Sequence, residues 1–273
     1  MKFIHKIYIK AKPVLHTISF NLTLHVKIFM VFSVVVLFQL FFFGYFVYYF
    51  FPNNVLPRSI MTFYGQSMAM LNLILIFAAS YFFSGVICSE FKNKTGFTVL
   101  PLISRNKLIL GKYIANLILV IGLAAVHYLI MLLLGYNFYG EPIIFRLITS
   151  FGFCVLYIIA LSSIITFLSS FMPSSASIII FFGLFFFFLD SIIYFRFMEV
   201  TSLEPLYSLS YLFNIISMIL YPSFPKFRYS VVSTGNSSYI IWDYPNVEGA
   251  LITLIIYAIV FFILAFPLSK RRK

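Results

Sequence analysis

The chain has 273 residues, 62% of them hydrophobic and 21% aromatic, with a mean hydropathy of +1.04. A water-exposed fold of this size cannot hide 37 Phe and 19 Tyr, so lipid must be the solvent for most of its surface. The net charge of +12 sits in segments that flank apolar runs, which marks basic membrane flanks and argues against a nucleic-acid site.

Residues 1–27 are a basic leader. Lys2, Lys6 and Lys10 recur every four residues, with Phe3, Ile4, Ile7 and Tyr8 largely opposite. This spacing predicts an amphipathic helix in the headgroup plane that ends near Pro13, the alternative being a basic leader of no fixed structure. Six apolar runs follow: Ile28–Phe51, Met68–Cys88, Tyr113–Tyr136, Leu147–Phe171, Ala176–Tyr194 and Ala250–Leu268. Each approaches the roughly 20 residues that cross a hydrocarbon core about 30 Å thick. The expected fold is an all-α polytopic membrane protein of six spans, because lipid offers the backbone no outside partner and the runs exceed barrel strands. The first run has 24 residues and no small-residue cleavage pattern behind it, so it reads as an anchor and not a signal peptide.

One transmembrane domain, 1–273, is expected: the leader, spans one to five over 28–195, an outer segment over 196–248, and the last span with a basic tail over 249–273. The leader, the segment from Lys92 to Lys112 and residues 270–273 carry 14 basic residues. Arg58, Arg146, Arg196, Lys226 and Arg228 make 5 on the other side. That asymmetry places both termini in the cytosol.

Between the second and third runs lies a hinge over residues 89–112, holding Lys92, Lys94, Arg105, Lys107 and Lys112 against the single acid Glu90. In the second run Asn72, Ser80 and Ser84 are the polar positions, with Ser80 and Ser84 sharing a helical face. They are the candidate pathway or dimer seam, since small and hydroxylated residues let helices approach closely. The fourth run holds Ser162, Ser163, Thr166, Ser169 and Ser170, while the fifth is Phe-rich from Phe181 to Phe188 and is expected to face lipid or form an apolar gate. Pro173 should stop the fourth helix, with Ser174 or Ser175 capping the next. Leu203–Tyr221 is apolar enough to resemble a further span, but Glu204, Pro205 and Asn214 favour a re-entrant or interfacial helix. Two β-prone runs around Gly235-Asn236 predict a hairpin packed on the helix ends.

No catalytic constellation and no metal-ligand spacing is present; Cys88 and Cys154 read as buried thiols. His127 is the only His in a predicted span and reads as packed and hydrogen-bonded, or else as a proton relay. Asp190 lies 16 residues after Ser174, roughly 24 Å up a helix and near the outer boundary, where a structural role competes with substrate contact. Gly111-Lys112 lacks the hydroxyl and the earlier glycine of a phosphate loop, so the chain is not expected to hydrolyse ATP.

The hinge string SEFKNKTGFTVLPLISRNKLILGKYIAN resembles the cytosolic loop of type-2 ABC transporter permeases. Glu90, Thr95, Gly96, Pro101, Ser104, Arg105, Gly111 and Lys112 occupy the places of an acid, a Thr-Gly pair, a Pro-x-Ser-Arg-like turn and a Gly-Lys pair. The order Thr95-Gly96 and the longer spacing of Pro101 from Arg105 depart from the commoner form. The resemblance implies the membrane subunit of an ABC exporter in a prokaryotic plasma membrane, with Glu90, Lys92, Lys94, Thr95, Gly96, Pro101, Ser104, Arg105, Gly111 and Lys112 forming the ATPase-coupling element. It further implies a separately encoded ABC ATPase as partner, a second permease copy or paralogue, membrane lipid around both and no nucleic acid. No cofactor would be bound by this chain; ATP and Mg would reside on the ATPase. A basic loop that serves topology alone, an ion-coupled secondary transporter and an intramembrane enzyme are the alternatives.

Overall fold

Hydrocarbon leaves a backbone no hydrogen-bond partner but itself, and every long apolar run among the described residues is helical. The computed structural model describes residues 2–42, 59–92, 104–140, 143–190, 192–193, 203–221, 228–234 and 237–271. In chain order they form α1 (Lys2–Phe41), α2 (Ile60–Lys92), α3 (Arg105–Tyr139), α4 (Ile144–Ser169), α5 (Ser175–Leu184) with a π-helical continuation (Phe185–Asp190), α6 (Leu209–Met218), strands β1 (Tyr229–Thr234) and β2 (Ser237–Trp242), and α7 (Val247–Arg271). Five of these helices, α1, α2, α3, α4 and α7, are long and apolar enough to cross a membrane. The fifth predicted run is shorter as a helix: α5 with its π continuation covers residues 175–190, and neither segment reaches a spanning length by itself.

The leader differs from expectation. Pro13 lies inside α1 and does not end it; one helix runs from Lys2 to Phe41. An interior proline deletes one i→i−4 bond and costs about 3 kcal/mol, yet the flanking turns hold. Thr17 Oγ1 donates to the Pro13 carbonyl at 2.9 Å, and the next turns are fastened to α3. The apolar stretch able to span accordingly starts at Lys12 rather than Ile28. At 40 residues α1 is about 60 Å long, twice the hydrocarbon core, so its basic first turns extend past it.

α2 is the central helix, packed on α3, α4 and α5, while α1 lies along α3 and α7 along α4. Of the most apolar stretch of α2, 67% is buried, against 17% for α1 and 11% for α7, so the two flanking helices leave most of their apolar surface uncovered by the rest of the chain. The contact of α1 with α3 needs a residue without a side chain. A Cβ on Gly111 would come within 2.8 Å of the Thr17 Cβ and 3.2 Å of the Val14 carbonyl oxygen. Gly111 therefore sets how closely the two helices approach.

Ser174, not Ser175, caps α5, accepting from the Ser177 amide at 3.2 Å. The Phe-rich run divides between two environments. Phe181 is exposed, but Phe182 and Phe186 are buried in the core, so a wholly lipid-facing fifth segment is corrected. α6, about 15 Å long at 10 residues, is too short to span. Its Leu209, Leu212, Ile215 and Ile216 are buried, and it packs on α4, α2 and α7, so it is a helix sunk into the bundle and not one lying on its surface. β1 and β2 pair antiparallel with Tyr229 opposite Trp242 and Thr234 opposite Ser237. The hairpin is anchored at its base, where the Arg228 carbonyl accepts from the amides of Asp243 and Tyr244, and where Asn214 Nδ2 reaches the Asp243 carbonyl at 3.3 Å.

Candidate functional site

The bundle has two polar ends. At the basic end, α2 closes with Glu90 and Lys92 in its last turn, and α3 opens at Arg105. Lys94, Thr95, Gly96 and Pro101 lie outside the described residues. Ser104 is the N-cap of α3: its backbone is extended, and its carbonyl accepts from the Lys107 and Leu108 amides at 3.0 and 3.2 Å. Its side chain makes no capping bond, and the first turn of α3 contains no acid but holds Arg105 and Lys107. Cations at a helix N-terminus oppose the helix dipole. Local helix stability therefore does not account for this charge.

Gly111 is the packing glycine described above. Lys112, one residue on, points into a cleft between α1, α2, α3 and the start of α5, where its Nζ lies 3.5 Å from Ser89 Oγ. Below it, α4 grips α2. Ser169 Oγ donates to the Ser84 carbonyl at 2.8 Å and accepts from the Ile87 and Cys88 amides at 3.1 and 3.0 Å. A side chain set into a helix's own hydrogen-bond ladder is one of the known causes of local bending, and this one stands a turn before the hinge.

The three seam candidates face the chain's own interior. Asn72 Oδ1 accepts from Tyr157 OH of α4 at 3.2 Å. Ser80 and Ser84 are each only 1% exposed, and Ser84 Oγ turns back to the Tyr81 carbonyl. The polar face of α2 thus closes this chain's core, and the residues α2 leaves exposed are others, Met70, Phe77 and Tyr81 among them. A contact with a second copy through Ser80 or Ser84 requires the bundle to open.

His127 is fully buried in α3, and neither ring nitrogen has a hydrogen-bond partner among the described residues. The expectation of a packed histidine stands, while that of a hydrogen-bonded one is corrected: the neighbouring Tyr128 ring, 6.2 Å away, commits its hydroxyl to Ser150 at 2.8 Å.

At the opposite end two carboxylates, Asp190 and Glu204, tie several segments together. Asp190, 4% exposed, accepts from Ser208 Oγ at 3.0 Å, from the Ser210 amide at 3.1 Å and from Ser210 Oγ. It caps α6 together with Ser208, which accepts from the Tyr211 amide. Its place fits the structural reading, since all three bonds fasten the end of the fifth segment to the start of α6. Glu204, expected only to keep Leu203–Tyr221 from spanning, gathers three more elements on Oε1: Arg228 Nη1 at 2.9 Å, Tyr211 OH at 3.1 Å and the Asn246 amide at 2.6 Å. Arg228 also lies over the Trp242 ring, 5.4 Å from its centroid. Tyr257 OH of α7 donates to the Tyr207 carbonyl at 2.8 Å, and partial burial together with the negative charge of Asp190 raises the Tyr207 hydroxyl above its ordinary pKa.

Among the described residues no group of three His, Cys, Asp or Glu side chains could hold a metal. No protein-family model and no curated protein matches the sequence.

Proposed function

We propose that the chain is the membrane-spanning permease of a type-2 ABC exporter, which couples ATP hydrolysis by a separate ATPase subunit to movement of a substrate across the membrane. The observation that carries this reading is the hinge between α2 and α3, with its run of Glu90, Thr95, Gly96, Pro101, Ser104, Arg105, Gly111 and Lys112. Its support is threefold. The basic residues divide 14 to 5 between the segments that the sequence assigns to opposite sides of the membrane. The first turn of α3 carries Arg105 and Lys107 against its own dipole, as a surface built for a partner does. Ser169 binds α2 one turn before the hinge, so a displacement there has a direct path into α4.

In this reading residues 175–194 complete a sixth crossing, both termini lie in the cytosol, and the chain works with a second copy or a paralogue. ATP and Mg reside on the ATPase, and this subunit is not itself an enzyme. The test is affinity capture of an ABC ATPase with the chain from native membranes, repeated after charge reversal of Lys92, Lys94 and Arg105 to Glu. Interfacial charge reversals cost a few kcal/mol, on the order of a hundredfold in affinity, so capture is expected to be lost while membrane insertion persists. Undiminished capture after all three reversals overturns the coupling assignment.

One observation favours a second reading, an ion-coupled secondary transporter. A fully buried histidine without a hydrogen-bond partner in a spanning helix is the form a proton site takes. Transport that persists on a proton gradient without ATP, and that His127→Gln abolishes, would select it over the first.

A further inference from the structure

One side chain of α4 enters the backbone ladder of α2. In an uninterrupted helix the Ile87 and Cys88 amides bond the carbonyls of Phe83 and Ser84, four residues back. Here both amides lie within bonding distance of Ser169 Oγ, at 3.1 and 3.0 Å, and the Ser84 carbonyl receives the Ser169 hydroxyl at 2.8 Å. The same carbonyl accepts from Cys88 Sγ at 3.1 Å, and Cys88 Sγ lies 3.1 Å from Ser175 Oγ at the start of α5. Ser169 and Cys88 are both buried. One turn of α2 thus has its donors and its acceptor drawn to side chains, and two of the three residues involved belong to other helices.

The arrangement has a second form that bonds as many groups. If Ser169 turns away, the Ile87 and Cys88 amides fall back on the Phe83 and Ser84 carbonyls, and the freed hydroxyl can donate to the Ile165 carbonyl one turn back in its own helix. Ser163 and Thr166 of α4 already bond in that way, to the Ile159 carbonyl at 2.8 Å and the Ser162 carbonyl at 2.7 Å. Neither form strands a buried donor or acceptor, so exchange between them escapes the penalty that makes most buried polar networks rigid. There is also space for it. Gly85 and Ser89, on another side of the same turns, line a cleft with a cavity volume of about 340 Å³. A Cβ on Gly85 would meet nothing closer than Ser175 Oγ at 3.6 Å, so the last turns of α2 have room to shift on that side.

We propose that Ser169 is a reversible latch on α2. Latched, it bonds Ser84, Ile87 and Cys88 and holds that turn bent. Released, it lets the ladder close, and the final turns up to Lys92 straighten. An element with two such forms can pass a displacement of the hinge to α4 through Ser169 and to α5 through Ser175. That task rests on the permease reading. The exchange of bonds does not, and it is measurable without an ATPase, so the two can fail separately.

The test is hydrogen-exchange mass spectrometry of the full chain in detergent, with fragmentation fine enough to resolve residues 83–92 and with rates corrected for intrinsic chemistry. In a helix that merely frays, protection falls steadily toward the end, so Ser89 and Glu90 exchange faster than Ile87 and Cys88. The latch reverses that order in the wild-type chain, because the Ile87 and Cys88 amides are the ones that change partners. Ser169→Ala removes the latch and leaves the ladder closed, so exchange at Ile87 and Cys88 should slow about fivefold, the worth of one hydrogen bond. A fixed staple gives the opposite sign: its loss frees the two amides, speeds their exchange and lowers the thermal midpoint. The fraying order in the wild-type chain, a comparison that needs no variant to fold, overturns the proposal. So does exchange in Ser169→Ala that is unchanged or faster.

Discussion

The two polar ends of this bundle differ in how their charged groups are placed: carboxylates bridging segments at one, cations at a helix start at the other. At the outer end Asp190 and Glu204 are each saturated by donors from other segments, and those bonds join the fifth segment, α6, the hairpin base and α7. At the basic end Asn116 Oδ1 and His25 Nδ1 are buried without partners, and cations sit at a helix start that disfavours them. A saturated cluster holds structure, because its donors and acceptors are already accounted for. Buried polar atoms without a partner are not confined to the basic end, since Tyr64 OH and both ends of the Gln39 amide, farther along the bundle, also have none among the described residues.

The sharpest way to break the contrast is at Asp190. Asp190→Ala strands the half-buried Ser210 amide and weakens the cap of α6, with an expected loss of about 1–3 kcal/mol, read as a lowered thermal midpoint in detergent. Asp190→Asn keeps an acceptor and should lose less. Wild-type melting of both would remove the outer end from the structural column. Next in size is Gly111→Val, which drives a branched side chain into Thr17 and the Val14 carbonyl, at an expected cost of about 1–3 kcal/mol. Proteolysis within the leader should then accelerate, because α1 is released from α3; an unchanged cleavage rate would show that α1 is held by other contacts. The smallest effect belongs to the cleft. Asn116→Leu gives up the bond to the Phe82 carbonyl but also removes an unpartnered oxygen, so its thermal midpoint should move by less than about 1 kcal/mol equivalent. A loss as large as that of Asp190→Ala would make Asn116 a structural residue and erase the difference between the two ends.

Helix identity was legible in the apolar runs, since only helices satisfy so long a backbone in lipid. Helix extent was not, because hydrogen bonding continues past the apolar boundary: α3 begins at Arg105 and α2 reaches Lys92, both in charged sequence. Pro13 misled for a related reason, as the expected break is overridden by packing against Gly111, a residue nearly a hundred positions away. The depth of Asp190 followed from counting residues, but its donors at Ser208 and Ser210 belong to a segment that folds back on it. Hydroxyl spacing picked out a face in Ser80 and Ser84 but could not tell whether a second copy or the chain's own α4 covers it; Ser169 of α4 bonds the Ser84 carbonyl. The partnerless His127 was equally out of reach, for whether a buried nitrogen finds a donor depends on neighbours from other helices.

Everything proposed here for the basic end requires that it face the cytosol. Single cysteines at Lys94 and Gly235, on a background with Cys88 and Cys154 replaced by Ala, test it directly in intact cells with a membrane-impermeant maleimide. Labelling is expected at Gly235 from outside, and at Lys94 only after the membrane is opened. Labelling of Lys94 in sealed cells would put the hinge outside, away from ATP, and would contradict the claim outright.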